Sequence, residues 1–109
     1  MARKVRIISR NFRSRFGEID LIGYHRQELV FFEVRFRRHQ HYGGAAMSVD
    51  RRKQERLLKT AQFYLTANPD AQTKPCRFDV LAITLDNSQL EYTWYKAAFT
   101  ATDIYPDAF

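Results

Sequence analysis

Acidic residues occur inside two consecutive apolar segments of this chain. The first segment reads Gly17-Glu18-Ile19-Asp20-Leu21-Ile22, and the second reads Leu29-Val30-Phe31-Phe32-Glu33-Val34-Arg35. Segments this rich in Ile, Leu, Val and Phe are typical of buried strands, where an unpaired carboxylate is costly. A carboxylate in such a strand indicates a partner cation, a bound metal or an active site beside it.

The spacing of these residues predicts a metal-dependent phosphodiesterase site. Side chains alternate along a strand, so Glu33 and Arg35 share one face, and Glu18 and Asp20 likewise share a face. If a short turn pairs the two strands, Asp20 lies near Glu33. Two converging carboxylates suit a hard cation such as Mg²⁺ or Mn²⁺, which can polarise a phosphate and activate water. Arg35 would stabilise the developing charge. A structural ion pair between Arg35 and either carboxylate is the alternative interpretation.

Hydrophobic periodicity and turn signals predict the elements that must position these residues. Strands are expected over residues 5–12, 18–24, 29–37, 77–85 and 90–95. A loop over residues 38–47 and a helix over residues 50–67 separate the third strand from the fourth. A helix of this length is typical of a crossover between parallel strands. The order therefore predicts an α/β fold, a mixed β-sheet with a long helix packed on one face.

The predicted helix has a capping signal and an apolar stripe. Ser48 or Asp50 can cap its start. The stripe consists of Leu57, Leu58, Ala61 and Leu65. Gln54 lies on the same stripe one turn earlier, and a polar residue there needs a hydrogen-bond partner. We expect that partner to be the acidic pair, or a water bound to a metal there.

Charge is unevenly distributed along the 109 residues, whose formal net charge is +6. Residues 1–60 carry a net charge of +9 and residues 61–109 a net charge of −3, so the basic half also contains the acidic pair. A surface of this kind favours a polyanion, and nucleic acid is the expected partner. The alternative is that these Lys and Arg side chains only solvate the surface. Phosphate contacts are predicted for the basic residues that flank the pair in sequence, which are Arg10, Arg13, Arg15, Arg37, Arg38, Arg51, Arg52 and Lys53.

Composition predicts a single cytoplasmic domain over residues 1–99, followed by a tail over residues 100–109. The apolar content of 45% argues against disorder. Cys76 is the only cysteine, which excludes an intrachain disulfide and fits a reducing compartment. The sequence contains no apolar run of membrane-spanning length and no signal-peptide core, so we expect no membrane partner.

Other polar residues are weaker candidates for chemistry. Asp79 lies beside Arg77 at the start of an apolar strand, which predicts a structural salt bridge, with a supporting role behind the metal site as the alternative. His39 and His41 in the predicted loop do not complete a metal site by themselves. Trp94 is expected to pack on the last strand rather than to stack on a base.

Taken together, these motifs resemble those of the YraN-like family of predicted endonucleases. That family is placed in the PD-(D/E)xK nuclease superfamily, as distant relatives of archaeal Holliday junction resolvases. The resemblance covers residues 5–99. It includes the two acidic segments, Gly43-Gly44-Ala45-Ala46-Met47-Ser48-Val49, Lys53-Gln54 and Arg77-Phe78-Asp79-Val80.

The resemblance implies a restriction-endonuclease-like fold and a set of site residues. Asp20 and Glu33 would be the metal-binding acids, with the Val34 carbonyl as a further ligand. Position 35 would be the superfamily's catalytic-lysine position, and Gln54 would correspond to a helix glutamine found near the site in several branches. The implied activity is Mg²⁺- or Mn²⁺-dependent DNA endonuclease activity on branched or single-stranded DNA.

Two departures from the family pattern shape the alternatives. Arg35 replaces the usual lysine, and arginine is a poor general base. Relatives also carry a helix before the first strand, which is expected to be absent here, so that Glu18 would partly replace an acid from it. These departures favour two further expectations: a homodimer that covers the open sheet face, or a non-catalytic nucleic-acid-binding protein that retains the nuclease fold.

Overall fold

The computed structural model describes residues 4–37 and 49–99, with the side chains of Arg37 and Asp86 left aside. Its elements in chain order are β1 (Val5–Ser14), β2 (Gly17–His25), β3 (Glu28–Arg37), α1 (Arg51–Ala67), a 3₁₀ helix (Pro69–Thr73), β4 (Cys76–Asp86) and β5 (Gln89–Phe99). In these two stretches, no helix is long and apolar enough to cross a membrane.

The strands form one mixed sheet in the order β1-β2-β3-β4-β5. β1, β2 and β3 pair antiparallel, β4 and β5 pair antiparallel, and β3 and β4 pair parallel. Because β3 and β4 are parallel, the chain must return from the end of β3 to the edge of the sheet where both strands begin, and the segment that contains α1 makes this return. The predicted mixed sheet with a helix packed on one face is confirmed. The strands extend beyond the predicted bounds, most of all β5, whose Phe99 stacks on Phe78 with ring centroids 4.7 Å apart.

α1 packs on the sheet face that carries Phe31 and Phe78. The predicted stripe is confirmed for Leu57, Leu58 and Ala61, but Leu65 is only half-buried. Its place in the core belongs to two residues that sequence analysis did not select, Thr60 and Tyr64.

Each of these two residues has a specific reason to be buried. The Tyr64 ring packs edge-on against Phe12 at 5.1 Å and against Phe31 at 6.1 Å between centroids. The Thr60 hydroxyl donates to the Arg56 carbonyl oxygen at 2.8 Å and lies 3.2 Å from the Ser14 hydroxyl, so its burial leaves no unsatisfied polar group.

The opposite face of the sheet contains a buried ionic network centred on Asp79. Asp79 is fully buried and accepts hydrogen bonds from Arg77, from Trp94 Nε1 at 2.7 Å and from the Ala97 main-chain N–H at 2.9 Å. Arg77 also donates to Glu28 and to His25 Nδ1. Burial, and then the charge of Arg77, lower the pKa of His25, so its neutral ring can accept this bond. The predicted Arg77–Asp79 salt bridge is confirmed, and it joins four of the five strands.

Candidate metal centre

β2 and β3 separate at Asp20. Their pairing runs from His25 opposite Glu28 to Leu21 opposite Phe32. At the next position the Asp20 carboxylate, rather than a main-chain carbonyl, accepts the Val34 N–H at 2.7 Å. This bond fixes the Asp20 carboxylate beside β3, one residue away from Glu33.

Glu33 lies on the sheet face covered by α1, opposite Val80 of β4. Its side chain is only 10% exposed, and its Oε2 faces Lys53 Nζ at 3.5 Å and Arg35 Nε at 3.8 Å. Burial raises the pKa of Glu33, and the charge of Asp20 raises it further, while Lys53 and Arg35 act in the opposite direction. The structure therefore brings Asp20 and Glu33 together and places two cations around them.

Arg35 has an unusual environment for a buried cation. Its side chain is 18% exposed, and the 3.8 Å from its Nε to Glu33 exceeds hydrogen-bond range. The same Nε is buried and has no hydrogen-bond partner among the described residues. An unsatisfied buried donor is costly, so its presence is more typical of a binding site than of a contact retained for stability.

Lys53 occupies a place that sequence analysis did not predict, since it was grouped with the phosphate-contacting surface residues. It belongs to the first turn of α1, where the Asp50 side chain accepts its main-chain N–H at 2.8 Å. Because β3 and β4 are parallel, α1 runs back along the sheet and begins near the end of β3. This topology brings the Lys53 side chain to Glu33. The predicted crossover helix between the third and fourth strands was the feature of the sequence that could have indicated this position of Lys53.

Two predicted site residues have other partners in the structure. The Gln54 amide donates to the Val49 carbonyl oxygen at 2.6 Å, so its observed partner is the segment before α1 rather than the acidic pair. Glu18 accepts from Arg13 Nε at 3.0 Å across the β1–β2 pair. No contact within the described stretches links Glu18 to Asp20 or Glu33.

The predicted phosphate-contacting residues are distributed over two elements. Arg10, Arg13 and Arg15 lie exposed on β1 and at its end, and Arg51 and Arg52 lie exposed at the start of α1. Arg51 Nε is 3.8 Å from the Glu55 carboxylate. Arg38 and the side chain of Arg37 lie outside the described residues, as do His39 and His41.

Comparison with known proteins assigns the chain to a family. Residues 1–83, which contain every residue of the acidic site, match the family model described as Uncharacterised protein family UPF0102. The chain belongs to the UPF0102 family. It is 51% identical over 94 residues to a UPF0102 protein of Alcanivorax borkumensis, covering 85% of this chain and 75% of that relative. It is 47% identical over 98 residues to a UPF0102 protein of Nitrosococcus oceani, covering 90% and 79%.

The donor atoms of this UPF0102 site fit a small hard cation. Asp20 and Glu33 supply carboxylate oxygens, and no cluster of three or more His, Cys, Asp or Glu occurs in the described part of the chain. The N–H and C=O of one strand residue point to the same side, so the Val34 carbonyl faces the gap beside Asp20. Mg²⁺ is commonly held by one or two carboxylates, with water and substrate oxygens completing its shell. The all-oxygen set suits Mg²⁺ or Mn²⁺ better than Zn²⁺.

Proposed function

We propose that this UPF0102 protein is a Mg²⁺- or Mn²⁺-dependent endonuclease that hydrolyses phosphodiester bonds in DNA, including branched or single-stranded DNA. The observation that carries the proposal is the convergence of Asp20 and Glu33 with Arg35 and Lys53, two acids and two cations at one place. The resemblance to YraN-like proteins and the PD-(D/E)xK superfamily supports the same reaction.

Each residue of the site has a definable task in this reaction. Asp20, Glu33 and the Val34 carbonyl would hold the cation, which supplies Lewis acidity toward the scissile phosphate and toward the attacking water. The Asp20–Val34 hydrogen bond keeps one carboxylate oriented before substrate arrives. This preorganisation reduces the rearrangement that binding requires.

Arg35 and Lys53 have different chemical capacities. The Arg35 guanidinium keeps its protons and can bind two phosphate oxygens, so it would stabilise charge on the reacting phosphate. Lys53 is a more mobile ammonium, and its side chain is 39% exposed. It can therefore leave Glu33 and donate a hydrogen bond or a proton to the leaving oxygen.

Several charges in and beside the site reduce the stability of the fold. Glu33 is raised in pKa by burial and by Asp20, which means that its ionised form is disfavoured in the folded protein. α1 begins with three cations and has no acidic residue in its first turn, which opposes the helix dipole. Conflicts of this kind with local preference are expected at functional sites.

The proposal is tested by incubating the purified protein with single-stranded, duplex and branched oligonucleotides in Mg²⁺ or Mn²⁺. Wild-type protein should cleave at least one of these substrates, and Asp20→Asn should not. Asp70→Asn is the matched control, because Asp70 is exposed in the 3₁₀ helix and undergoes the same chemical change. Tight nucleic-acid binding without cleavage under either metal would reject the enzyme. It would favour the non-catalytic binding protein, for which the replacement of the usual lysine by Arg35 is the supporting observation.

A further inference from the structure

The turn between β1 and β2 holds two cations against one aromatic ring. The Arg15 guanidinium lies 5.0 Å from the centroid of the Phe16 ring, and Lys59 Nζ of α1 lies 5.8 Å from it. Neither cation forms a salt bridge with a described residue. The ring thus gathers two positive charges from distant parts of the chain.

This turn is fixed against α1 by several contacts. The Ser14 hydroxyl accepts the Phe16 main-chain N–H at 3.0 Å and lies 3.2 Å from the Thr60 hydroxyl. Gly17 lies beside the helix, since a Cβ placed on it would be in ordinary van der Waals contact with Arg56 Cβ at 3.5 Å. The two cations therefore sit on a preorganised surface rather than on a free loop.

Three exposed cations form a stripe along α1 toward this turn. Arg52, Arg56 and Lys59 are spaced i, i+4 and i+7, so they lie on one side of the helix. Like charges at this spacing disfavour a helix, and Glu55 lies on the same side, three residues after Arg52 and four before Lys59. The two ends of the stripe are seven positions apart, which is about 10 Å along the helix axis. One end adjoins Lys53 at the acidic pair, and the other end reaches Phe16.

We infer that this stripe and the Arg15–Phe16–Lys59 cluster form a second phosphate-binding subsite, which holds the nucleic-acid backbone on one side of the acidic pair. The inference rests on the proposed function for the identity of the polyanion. Charge complementarity favours nucleic acid, because the cations form a line that leads away from the acidic pair, as a strand of successive phosphates requires. Phe16 is a positioning residue in this subsite, since its ring holds both terminal cations.

The test measures equilibrium binding of fluorescent single-stranded and duplex oligonucleotides by anisotropy, in EDTA and over a range of salt concentrations. Arg56→Gln combined with Lys59→Gln should weaken binding by about tenfold or more at low salt. The same double variant should reduce the log–log salt slope by roughly 2, because each lost phosphate contact removes about one unit. Lys74→Gln removes an exposed cation outside the stripe and should leave both values unchanged.

Phe16 is tested by two substitutions. Phe16→Leu should weaken binding and lower the salt slope while leaving the unfolding midpoint close to wild type. Phe16→Tyr keeps the ring and should restore both binding values. Equal binding by Phe16→Leu and wild type would remove Phe16 from the subsite.

The outcomes separate this inference from the proposed function. Unchanged affinity and slope in the double variant overturn the subsite even if the wild type cleaves DNA. Salt-dependent binding that the double variant loses, in a wild type that never cleaves, rejects the endonuclease and keeps the subsite. If the double variant lost the wild type's binding to vesicles of anionic phospholipid but still bound oligonucleotides like the wild type, the surface would be a membrane contact and the inference would be overturned. A wild type that binds no oligonucleotide overturns both.

Discussion

Asp79→Asn is expected to destabilise the domain strongly, because it removes the only charge that is fully buried in the network opposite α1. The two Asp79 oxygens accept from Arg77 Nε and Nη2, from Trp94 Nε1 and from the Ala97 N–H. In the asparagine variant one oxygen becomes an NH₂ group that faces a donor. Arg77, whose side chain is 10% exposed, retains only the half-exposed Glu28 as its anionic partner.

The magnitude follows from the cost of breaking a buried ion pair on one side, which is about 3–5 kcal/mol. The entropy of unfolding is about 2.1 cal/mol/K per residue, so the 109 residues correspond to roughly 4 °C per kcal/mol. The expected fall in Tm is therefore about 13–22 °C. A small domain has a total stability of about 5–15 kcal/mol, so this loss is a large fraction of it and is best measured at low temperature.

Urea and thermal unfolding, followed by circular dichroism and by the fluorescence of Trp94, measure this difference. Asp70→Asn, at an exposed position, should unfold like the wild type. Folded Asp79→Asn should bind Mn²⁺ as the wild type does, because Asp79 lies on the sheet face opposite Glu33. A stability within about 1 kcal/mol of wild type would refute the account of the network. Lost metal binding in a folded variant would instead favour a supporting role for Asp79 at the metal site.

Three further predictions concern the acidic site and the start of α1. Arg52→Glu should stabilise the domain by about 0.3–1 kcal/mol in urea unfolding, because it relieves the conflict with the helix dipole, and should weaken oligonucleotide binding; a loss of stability would contradict the dipole argument. As the pH falls, Mn²⁺ binding should weaken at a higher pH than it would with a glutamate of ordinary pKa, because the pKa of Glu33 is raised and a metal ligand must be ionised. Calorimetric titration from neutral to mildly acidic pH measures this, and a pH-independent affinity would exclude Glu33 as a ligand. Arg35→Lys should retain or raise cleavage, whereas Arg35→Ala should abolish cleavage and leave Mn²⁺ binding nearly intact; an unfolded Arg35→Ala together with an inactive Arg35→Lys would make Arg35 a structural ion-pair partner.

The mixed sheet and its helix could be predicted because their signals are local. Apolar runs mark the strands, Asp50 marks the start of α1, and the length of the crossover requires the parallel β3–β4 pair. The apolar stripe could not predict that Tyr64, rather than Leu65, is buried in the core. The burial of Tyr64 depends on where the Phe12 and Phe31 rings lie on the sheet.

The candidate site could be predicted in part. Alternation along the strands brings Asp20 near Glu33, but the hydrogen bond from the Val34 N–H to Asp20 depends on where the two strands separate. Lys53 follows the exposed Arg51 by only two residues, and the sequence alone does not distinguish the two cations. The direction of α1 relative to β3 is what brings Lys53 to Glu33. The place of Gln54 on the apolar stripe shows that it needs a partner, but its bond to the Val49 carbonyl oxygen depends on the path of the chain before α1.

The central claim is that Asp20 and Glu33 together bind a divalent metal, and isothermal titration calorimetry with Mn²⁺ tests it most directly. Wild-type protein and the exposed-site control Asp70→Asn should bind Mn²⁺ with millimolar or tighter affinity. Asp20→Asn and Glu33→Gln, checked for folding by circular dichroism, should each lose this binding. Absence of binding in the wild type, or undiminished binding in both folded variants, would contradict the claim.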